Sequence, residues 1–170
     1  MSYKEIIPCI FIDQGRAVKW FDDKTVISED VIELAKFYDE NGADALLVFD
    51  LSDSSEEHEE HINLMKKINR VIRVPMFAGG NVKRLEDIKK ILYTGAKRAI
   101  LNFSKESNQL LLEEASSRFG KEKIMVSLND FDTLFKQQRK ISINCDQILF
   151  MHRLDLNSVM SITDIPCMIL

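Results

Sequence analysis

A run of small and polar residues, Gly79-Gly80-Asn81, directly follows the apolar segment of residues 74–78. Glycines let backbone N–H groups approach a phosphate closely, and a helix that begins after them adds a favourable dipole. Polar side chains after the next apolar run would add donors. The predicted phosphate-binding residues are Gly79, Gly80, Asn81, Asn102 and Ser104. A Gly-Gly pair after a strand is also typical of a simple turn.

Asp13 and Asp50 are carboxylates that follow the first and second apolar runs of the chain. A general base needs such a carboxylate within reach of the proton that it removes. Lys19 could contact a phosphate or an acidic group, so the candidate catalytic residues are Asp13, Lys19 and Asp50. Each also has a structural interpretation. Asp50 could cap the loop before the next helix, Asp13 could close a turn with the residues after it, and exposed lysines are common.

Residues 56–61 read Glu-Glu-His-Glu-Glu-His and raise the question of a metal site. His58 and His61 are three residues apart, which places both imidazoles on one face of a helix. Their spacing differs from the H-E-x-x-H pattern of zinc enzymes, and the sequence offers no third ligand. We therefore predict a solvated acidic helix face and no metal. The chain also lacks the glycine-rich nucleotide-binding patterns, so no cofactor is expected.

These residues lie in a chain whose strands and helices alternate. Apolar runs of strand type occupy residues 6–12, 45–49, 74–78, 99–101, 124–128, 147–151 and 165–170. The segments between them place apolar residues at helical spacing, for example in residues 131–140 and 155–162. Asp53 with Glu56 predicts a capping box at the start of the second helix. The pattern predicts an α/β protein: an incomplete TIM-barrel-like (βα) fold with about seven parallel strands and the helices outside.

The composition argues against several classes of function. The 170 residues carry a net charge of −4 and no basic block, so nucleic acid is not expected as a partner. No apolar run approaches the roughly 20 residues of a membrane span, and the N-terminus does not resemble a signal peptide. Cys9, Cys145 and Cys167 are widely spaced and lie in or beside apolar runs, which indicates reduced, buried thiols in a cytoplasmic protein. We expect a single domain over residues 1–170.

Residues 7–19, Ile-Pro-Cys-Ile-Phe-Ile-Asp-Gln-Gly-Arg-Ala-Val-Lys, resemble the opening of the histidine-biosynthesis barrels. These are the cyclase subunit of imidazole glycerol phosphate synthase and the phosphoribosylformimino-AICAR ribotide isomerase. The resemblance continues in register at residues 34–38, 42–44, 48–50, 75–80 and 95–96. It implies a (βα)8 barrel that binds a substrate with two phosphate ends, one in each half of the barrel. It also implies two acid–base aspartates at the ends of strands one and five, which fall here on Phe11 and Asn129.

Neither Phe11 nor Asn129 can transfer a proton, so the resemblance implies a pseudoenzyme. The first phosphate half-site is retained in part, with Phe103 where the family has a small hydroxyl residue. Residues 164–170 echo residues 73–80 but stop before the glycines, and the second half-site would follow Leu170. We therefore expect part of a longer chain, in which downstream enzyme domains or a second copy cover the open edge of the barrel.

The resemblance favours a scaffold, or a domain that weakly binds a phosphoribosyl metabolite, in a multifunctional histidine-pathway enzyme. A similar degenerate segment precedes the phosphoribosyl-AMP cyclohydrolase and phosphoribosyl-ATP pyrophosphohydrolase modules of some bacterial proteins. One alternative is an active isomerase or cyclase of the same pathway that uses Asp13, Asp50 or Lys19. A dimerisation module is another alternative.

Overall fold

The computed structural model describes residues 5–152, 163 and 165–169. The chain divides into two compact units, Met1–Asn81 with Lys89–Lys97 and Val82–Ile88 with Arg98–Leu170. Each unit has its own parallel strands and its own helices.

The first unit contains a mixed sheet and two complete helices. Its elements are β1 (Cys9–Asp13), β2 (Arg16–Val18), β3 (Val26–Ser28), α1 (Val31–Glu40), β4 (Leu46–Asp50), α2 (Ser55–Val71) and β5 (Met76–Gly79). The strand order is β3-β2-β1-β4-β5, with β1, β4 and β5 parallel and the β1-β2 and β2-β3 pairs antiparallel. The sequence pattern predicts neither β2 nor β3, because each has three residues and is too short to show a strand periodicity.

The side chains of β1 and β4 alternate between the two faces of this sheet. Ile12 is paired with Asp50, and Phe11 is paired with Phe49, so the two pairs lie on opposite faces. α2 packs on the face that carries Asp50, since two of its histidines contact that carboxylate. All five residues of β4 are buried, as expected of a parallel strand covered on both faces.

The capping motif at the start of α2 begins one residue later than the sequence predicts. Ser54 is the N-cap, and its side chain accepts a hydrogen bond from the Glu57 N–H at 3.1 Å. The Glu57 carboxylate accepts in turn from the Asp53 N–H at 2.9 Å. The reciprocal pair therefore starts at Ser54 rather than at the predicted Asp53 with Glu56, because Ser54 is the residue that keeps an extended backbone before the helix.

The second unit is a parallel sheet whose strands alternate with helices. Its elements are β6 (Arg98–Asn102), α4 (Glu106–Phe119), a short 3-10 helix (Lys121–Lys123), β7 (Ile124–Leu128), α5 (Phe131–Asn144), β8 (Gln147–Phe150) and β9 (Cys167–Ile169). The helix α3 (Leu85–Tyr93) is divided between the two units. The strand order is β6-β7-β8-β9, and all neighbouring pairs are parallel.

Three parallel strands in the first unit and four in the second make seven among the described residues. The predicted α/β fold, of the incomplete (βα)-barrel type, is confirmed. The predicted helix over residues 155–162 lies outside the described residues. Cys9, Cys145 and Cys167 are all free thiols, and Cys145 is the one that is fully buried. In the part of the chain that the structure describes, no helix is long and apolar enough to cross a membrane.

Candidate functional site

Asp50 is the centre of a buried polar cluster at the end of β4. Its side chain is 1% exposed, and both of its oxygen atoms contact imidazoles of α2. His58 Nδ1 lies 2.5 Å from Oδ2, and His61 Nδ1 lies 2.6 Å from Oδ1. Oδ1 also accepts a hydrogen bond from the Ser52 N–H at 2.8 Å. Three donors of the chain itself therefore occupy both oxygen atoms of the carboxylate.

The protonation states of this cluster follow from its geometry. Burial acts to raise the pKa of Asp50, but hydrogen bonds from His58, His61 and the Ser52 N–H outweigh it and hold the pKa well below its usual range. An ionised carboxylate can only accept, so each histidine donates its Nδ1–H. His61 Nε2 accepts from the Gly15 N–H at 3.1 Å, which requires a bare nitrogen there. His61 is therefore the neutral Nδ1–H tautomer.

The same cluster ties the turn between β1 and β2 to α2. The Glu57 Oε1 atom accepts a hydrogen bond from the Gln14 N–H at 2.9 Å, next to the contact of Gly15 with His61. Gln14 and Gly15 have φ angles of 48° and 76°, so two successive left-handed residues close the hairpin. A strand end, a helix and a turn thus share one hydrogen-bond network.

The structure corrects the predicted solvated face of α2. The glutamates of residues 56–60 are exposed or half-buried, as predicted, but His58 and His61 are only 6% and 0% exposed. A signal for this was present in the sequence, because the histidines continue at helical spacing the apolar stripe that α2 buries: Ile62, Met65 and Ile68. The described residues contain no group of three or more His, Cys, Asp or Glu side chains that could hold a metal ion.

The other two candidate catalytic residues lie outside this cluster. Asp13 forms an ion pair with Lys24 at 2.9 Å. Lys19, whose side chain is 68% exposed, forms an ion pair with Asp23 at 3.3 Å. Each of the predicted catalytic residues therefore has a partner of opposite charge or a hydrogen-bond donor within the first unit.

Aromatic rings occupy the position that the resemblance implies for the first acid–base aspartate. Phe11 is 3% exposed, and its ring stacks on that of Phe49 with centroids 5.4 Å apart and planes 14° apart. The ring of Trp20 meets Phe11 edge-on with centroids 5.0 Å apart. Asn129, at the position implied for the second aspartate, is exposed and directly precedes Asp130, the N-cap of α5. Neither position carries an acid or a base.

Among the predicted phosphate contacts, Gly79, Gly80 and Asn81 belong to the first unit and pass close to the end of β4. A Cβ atom on Gly80 would lie 2.1 Å from the Asp50 carbonyl oxygen, and the φ angle of Gly80 is +95°. Asn81 has a φ of 50°, and its side-chain amide donates to the Ser52 Oγ atom at 2.8 Å. Close packing against β4 therefore accounts for the glycine at position 80 without a ligand.

Asn102 and Ser104, in the second unit, are exposed and bonded to each other: the Asn102 Oδ1 atom accepts from the Ser104 N–H at 3.0 Å. In the same unit the first turn of α3 has a carboxylate cap. The Asp87 Oδ2 atom accepts from the Lys83 and Arg84 N–H groups at 2.9 and 3.1 Å. The N–H groups of the two residues that precede α3 are therefore already bonded.

Parallel strands that alternate with helices, with polar side chains and tight turns at the strand ends, define a protein of the (βα)-barrel class. The chain belongs to the histidine biosynthesis protein family, whose model matches residues 5–162. The resemblance found in the sequence is thereby confirmed at the level of the family.

The chain is similar to several curated proteins that are named imidazole glycerol phosphate synthase subunit HisF. The protein of Lysinibacillus sphaericus is 37% identical over 130 residues, which cover 76% of this chain and 51% of that protein. The proteins of Exiguobacterium sp. and Sulfolobus acidocaldarius are 34% and 33% identical over the same length, with 51% and 52% of their own chains covered. The chain spans about half the length of the curated relatives it matches.

Proposed function

We propose that this chain is a non-catalytic member of its family, a cytoplasmic scaffold domain that retains weak binding of a phosphoribosyl metabolite. The observation that carries the proposal is the packing of the Phe11 ring, which stacks on Phe49 and meets Trp20 edge-on. A phenyl ring has no proton to transfer, and the stack leaves its buried position apolar. The amide of Asn129 cannot act as an acid or base either.

The remaining candidates for acid–base chemistry support the same conclusion. The lone pairs of Asp50 are used by three donors, and its lowered pKa makes it a poor base. Asp13 and Lys19 form ion pairs with Lys24 and Asp23, which lie in the loop between β2 and β3. An active isomerase or cyclase that uses these residues is the alternative, and it would have to break one of these pairs to free a reacting group.

Binding of a phosphate end is expected to be weak. Gly79, Gly80 and Asn81 form a tight turn of backbone beside Ser52, but the side-chain amide of Asn81 is already bonded to that serine. The Ser104 N–H is likewise bonded to Asn102. A phosphate would have to replace these internal bonds rather than fill vacant donors, so its net gain would be small.

The parent protein is proposed to be a multifunctional enzyme of histidine biosynthesis that carries phosphoribosyl-AMP cyclohydrolase and phosphoribosyl-ATP pyrophosphohydrolase modules. The family match supports the histidine-biosynthesis part of this proposal. Among the described strands β9 pairs only with β8, and we propose that downstream domains or a second copy cover its other edge.

Turnover tests the absence of catalysis. The full chain is assayed with the ribotide substrates of the family's cyclase and isomerase, and no product above the uncatalysed rate is expected. Product formation that Asp13→Asn abolishes would overturn the proposal in favour of the active-enzyme alternative. Asp13→Asn is the cleaner variant because Asp13 lies outside the buried cluster.

Thermal unfolding tests retained binding, with inorganic phosphate, ribose 5-phosphate and the same ribotides as probes. A ligand present at 100 times its dissociation constant would add about 2.7 kcal/mol to the free energy of unfolding. We expect a shift with millimolar ligand that Asn81→Asp abolishes and that Asn63→Asp, which adds the same charge on the exposed side of α2, retains. No shift with any probe would leave a pure scaffold and contradict the binding part of the proposal.

A further inference from the structure

A groove of about 560 Å³ lies between α4 and α5 of the second unit. Three cationic side chains of α5, Lys136, Arg139 and Lys140, line it together with one acid of α4, Glu113. The chain as a whole has a net charge of −4, so this groove concentrates positive charge on an otherwise acidic molecule.

The charges in this groove are only partly neutralised. Glu113 forms an ion pair with Lys140 at 3.5 Å, and the glutamate side chain is 68% exposed. Lys136 and Arg139 form no ion pair with another residue in the described part of the chain. Positions three and four apart share a helix face, so the cations of α5 form one stripe.

Exposed apolar side chains lie on the same two helices. Ile143 lines the groove and is 59% exposed. Phe135, one helical turn before Arg139, is 71% exposed, and Leu110, one turn before Glu113 on α4, is 73% exposed. Single exposed apolar residues are ordinary, but a basic groove with one of them in its lining and two more one helical turn from its lining residues combines two kinds of contact.

We infer that the groove between α4 and α5 binds an acidic amphipathic segment of a partner protein. Its carboxylates would pair with Lys136 and Arg139, and its apolar side chains would cover Ile143 and Phe135. Charge complementarity selects an acidic occupant. A small anion or a nucleic-acid backbone would satisfy the cations but would leave the apolar margin uncovered.

The test uses the full chain and a synthetic helical peptide of about 15 residues, long enough to hold some helix in water. The peptide carries glutamates on one stripe and leucines on the adjacent stripe. Binding is followed by NMR through changes in the chemical shifts of the protein's backbone amides. One control peptide has every Glu replaced by Gln, and a second has every Leu replaced by Ser.

We expect the shifts to cluster on α4 and α5 and both control peptides to bind at least about threefold more weakly. The double variant Lys136→Glu/Arg139→Glu should weaken binding by about tenfold or more, since repulsion replaces attraction at two positions. The matched variant Lys66→Glu/Lys67→Glu, on the exposed side of α2, should bind as the unaltered chain does.

Several outcomes would overturn the inference. If the Gln peptide bound as tightly as the Glu peptide, charge would play no part in recognition. If the α2 variant lost as much affinity as the α5 variant, the effect of charge would be non-specific. Self-association of the chain without peptide that the α5 variant abolishes would identify the occupant as a second copy. A single-stranded oligonucleotide that displaces the peptide from α5 and binds more tightly would identify a nucleic-acid surface.

Discussion

Asp50 illustrates at the scale of one residue how neighbours decide what a carboxylate can do. Its oxygens accept from His58, His61 and the Ser52 N–H, so the charge is stabilised in a buried site. Such a group contributes to stability while it remains ionised and fully bonded. It is a structural centre that links β4, α2 and the turn at Gly15.

Replacement of Asp50 by Asn should lower the free energy of unfolding at pH 7 by about 2–4 kcal/mol. An amide offers one acceptor oxygen to two imidazole N–H donors, and an unmatched buried donor costs about 1–3 kcal/mol. The native pKa of Asp50 is lowered, so its stabilising contribution is complete above the unfolded pKa of about 4 and is lost as the pH falls below that value. The difference in the free energy of unfolding between the unaltered chain and Asp50→Asn should therefore become smaller as the pH falls below about 4.

Urea unfolding at a series of pH values measures this gap, with Asp13→Asn as the matched control. Asp13 loses only its ion pair with the half-exposed Lys24, for which about 0–1 kcal/mol is expected. Equal losses in the two variants would show that the imidazole pair adds nothing to the stability of the fold.

At the scale of elements, the loop after β5 is positioned by backbone contact with the end of β4. Gly80 approaches Asp50 so closely that no side chain fits, and Asn81 then bonds to Ser52. The requirement is steric, because the clash involves backbone atoms that cannot rotate away. The loop and the Asp50 cluster are therefore coupled through the same short segment of β4.

The variant Gly80→Ala should destabilise the chain by about 3 kcal/mol or more. This loss combines the cost of a positive φ in alanine with the cost of the clash between the added Cβ atom and the Asp50 backbone. Gly42→Ala is a close control, since Gly42 has a φ of +91° with nothing within 4 Å of an added Cβ. About 1–2 kcal/mol is expected there from the backbone conformation alone. Thermal unfolding of the two variants side by side measures the difference, and similar losses would refute the packing argument.

At the scale of the whole molecule, the two thiols of the second unit report on the integrity of that unit. Cys145, at the end of α5, is 1% exposed, and burial raises its pKa to about 12. Burial also raises the pKa of the half-buried Cys167 in β9. Thiolate is the reactive form, so both residues are protected in proportion to their burial.

Iodoacetamide at pH 8 should therefore modify Cys145 very slowly in the native chain, since only about one thiol in ten thousand is ionised at that pH. Cys167 should react faster than Cys145, and both should react at the rate of a free thiol in urea. Mass spectrometry of proteolytic fragments gives the rate at each position. A native rate for Cys145 equal to its rate in urea would mean that the second unit opens readily.

The alternation of strands and helices was predictable because it depends on local patterns. The continuous apolar runs at residues 45–49 and 124–128 correspond to the buried strands β4 and β7. The segments with helical spacing that follow them correspond to α2 and α5. The parallel arrangement followed, since helical crossovers connect parallel strands. β2 and β3 were missed, because so short a strand forms by pairing with its neighbours rather than by its own pattern.

The sequence by itself determined the class of fold and the family, since these depend on residue type and order. It also places Phe11 and Asn129, which cannot transfer a proton, where the resemblance implies the two acid–base aspartates. Only the tertiary structure decided the partners of the polar side chains. His58 and His61 reach Asp50 because α2 packs on one face of β4, whereas Phe11 and Phe49 stack on the other. A side chain's face and its partners depend on contacts between elements, and no spacing along the chain specifies those contacts uniquely.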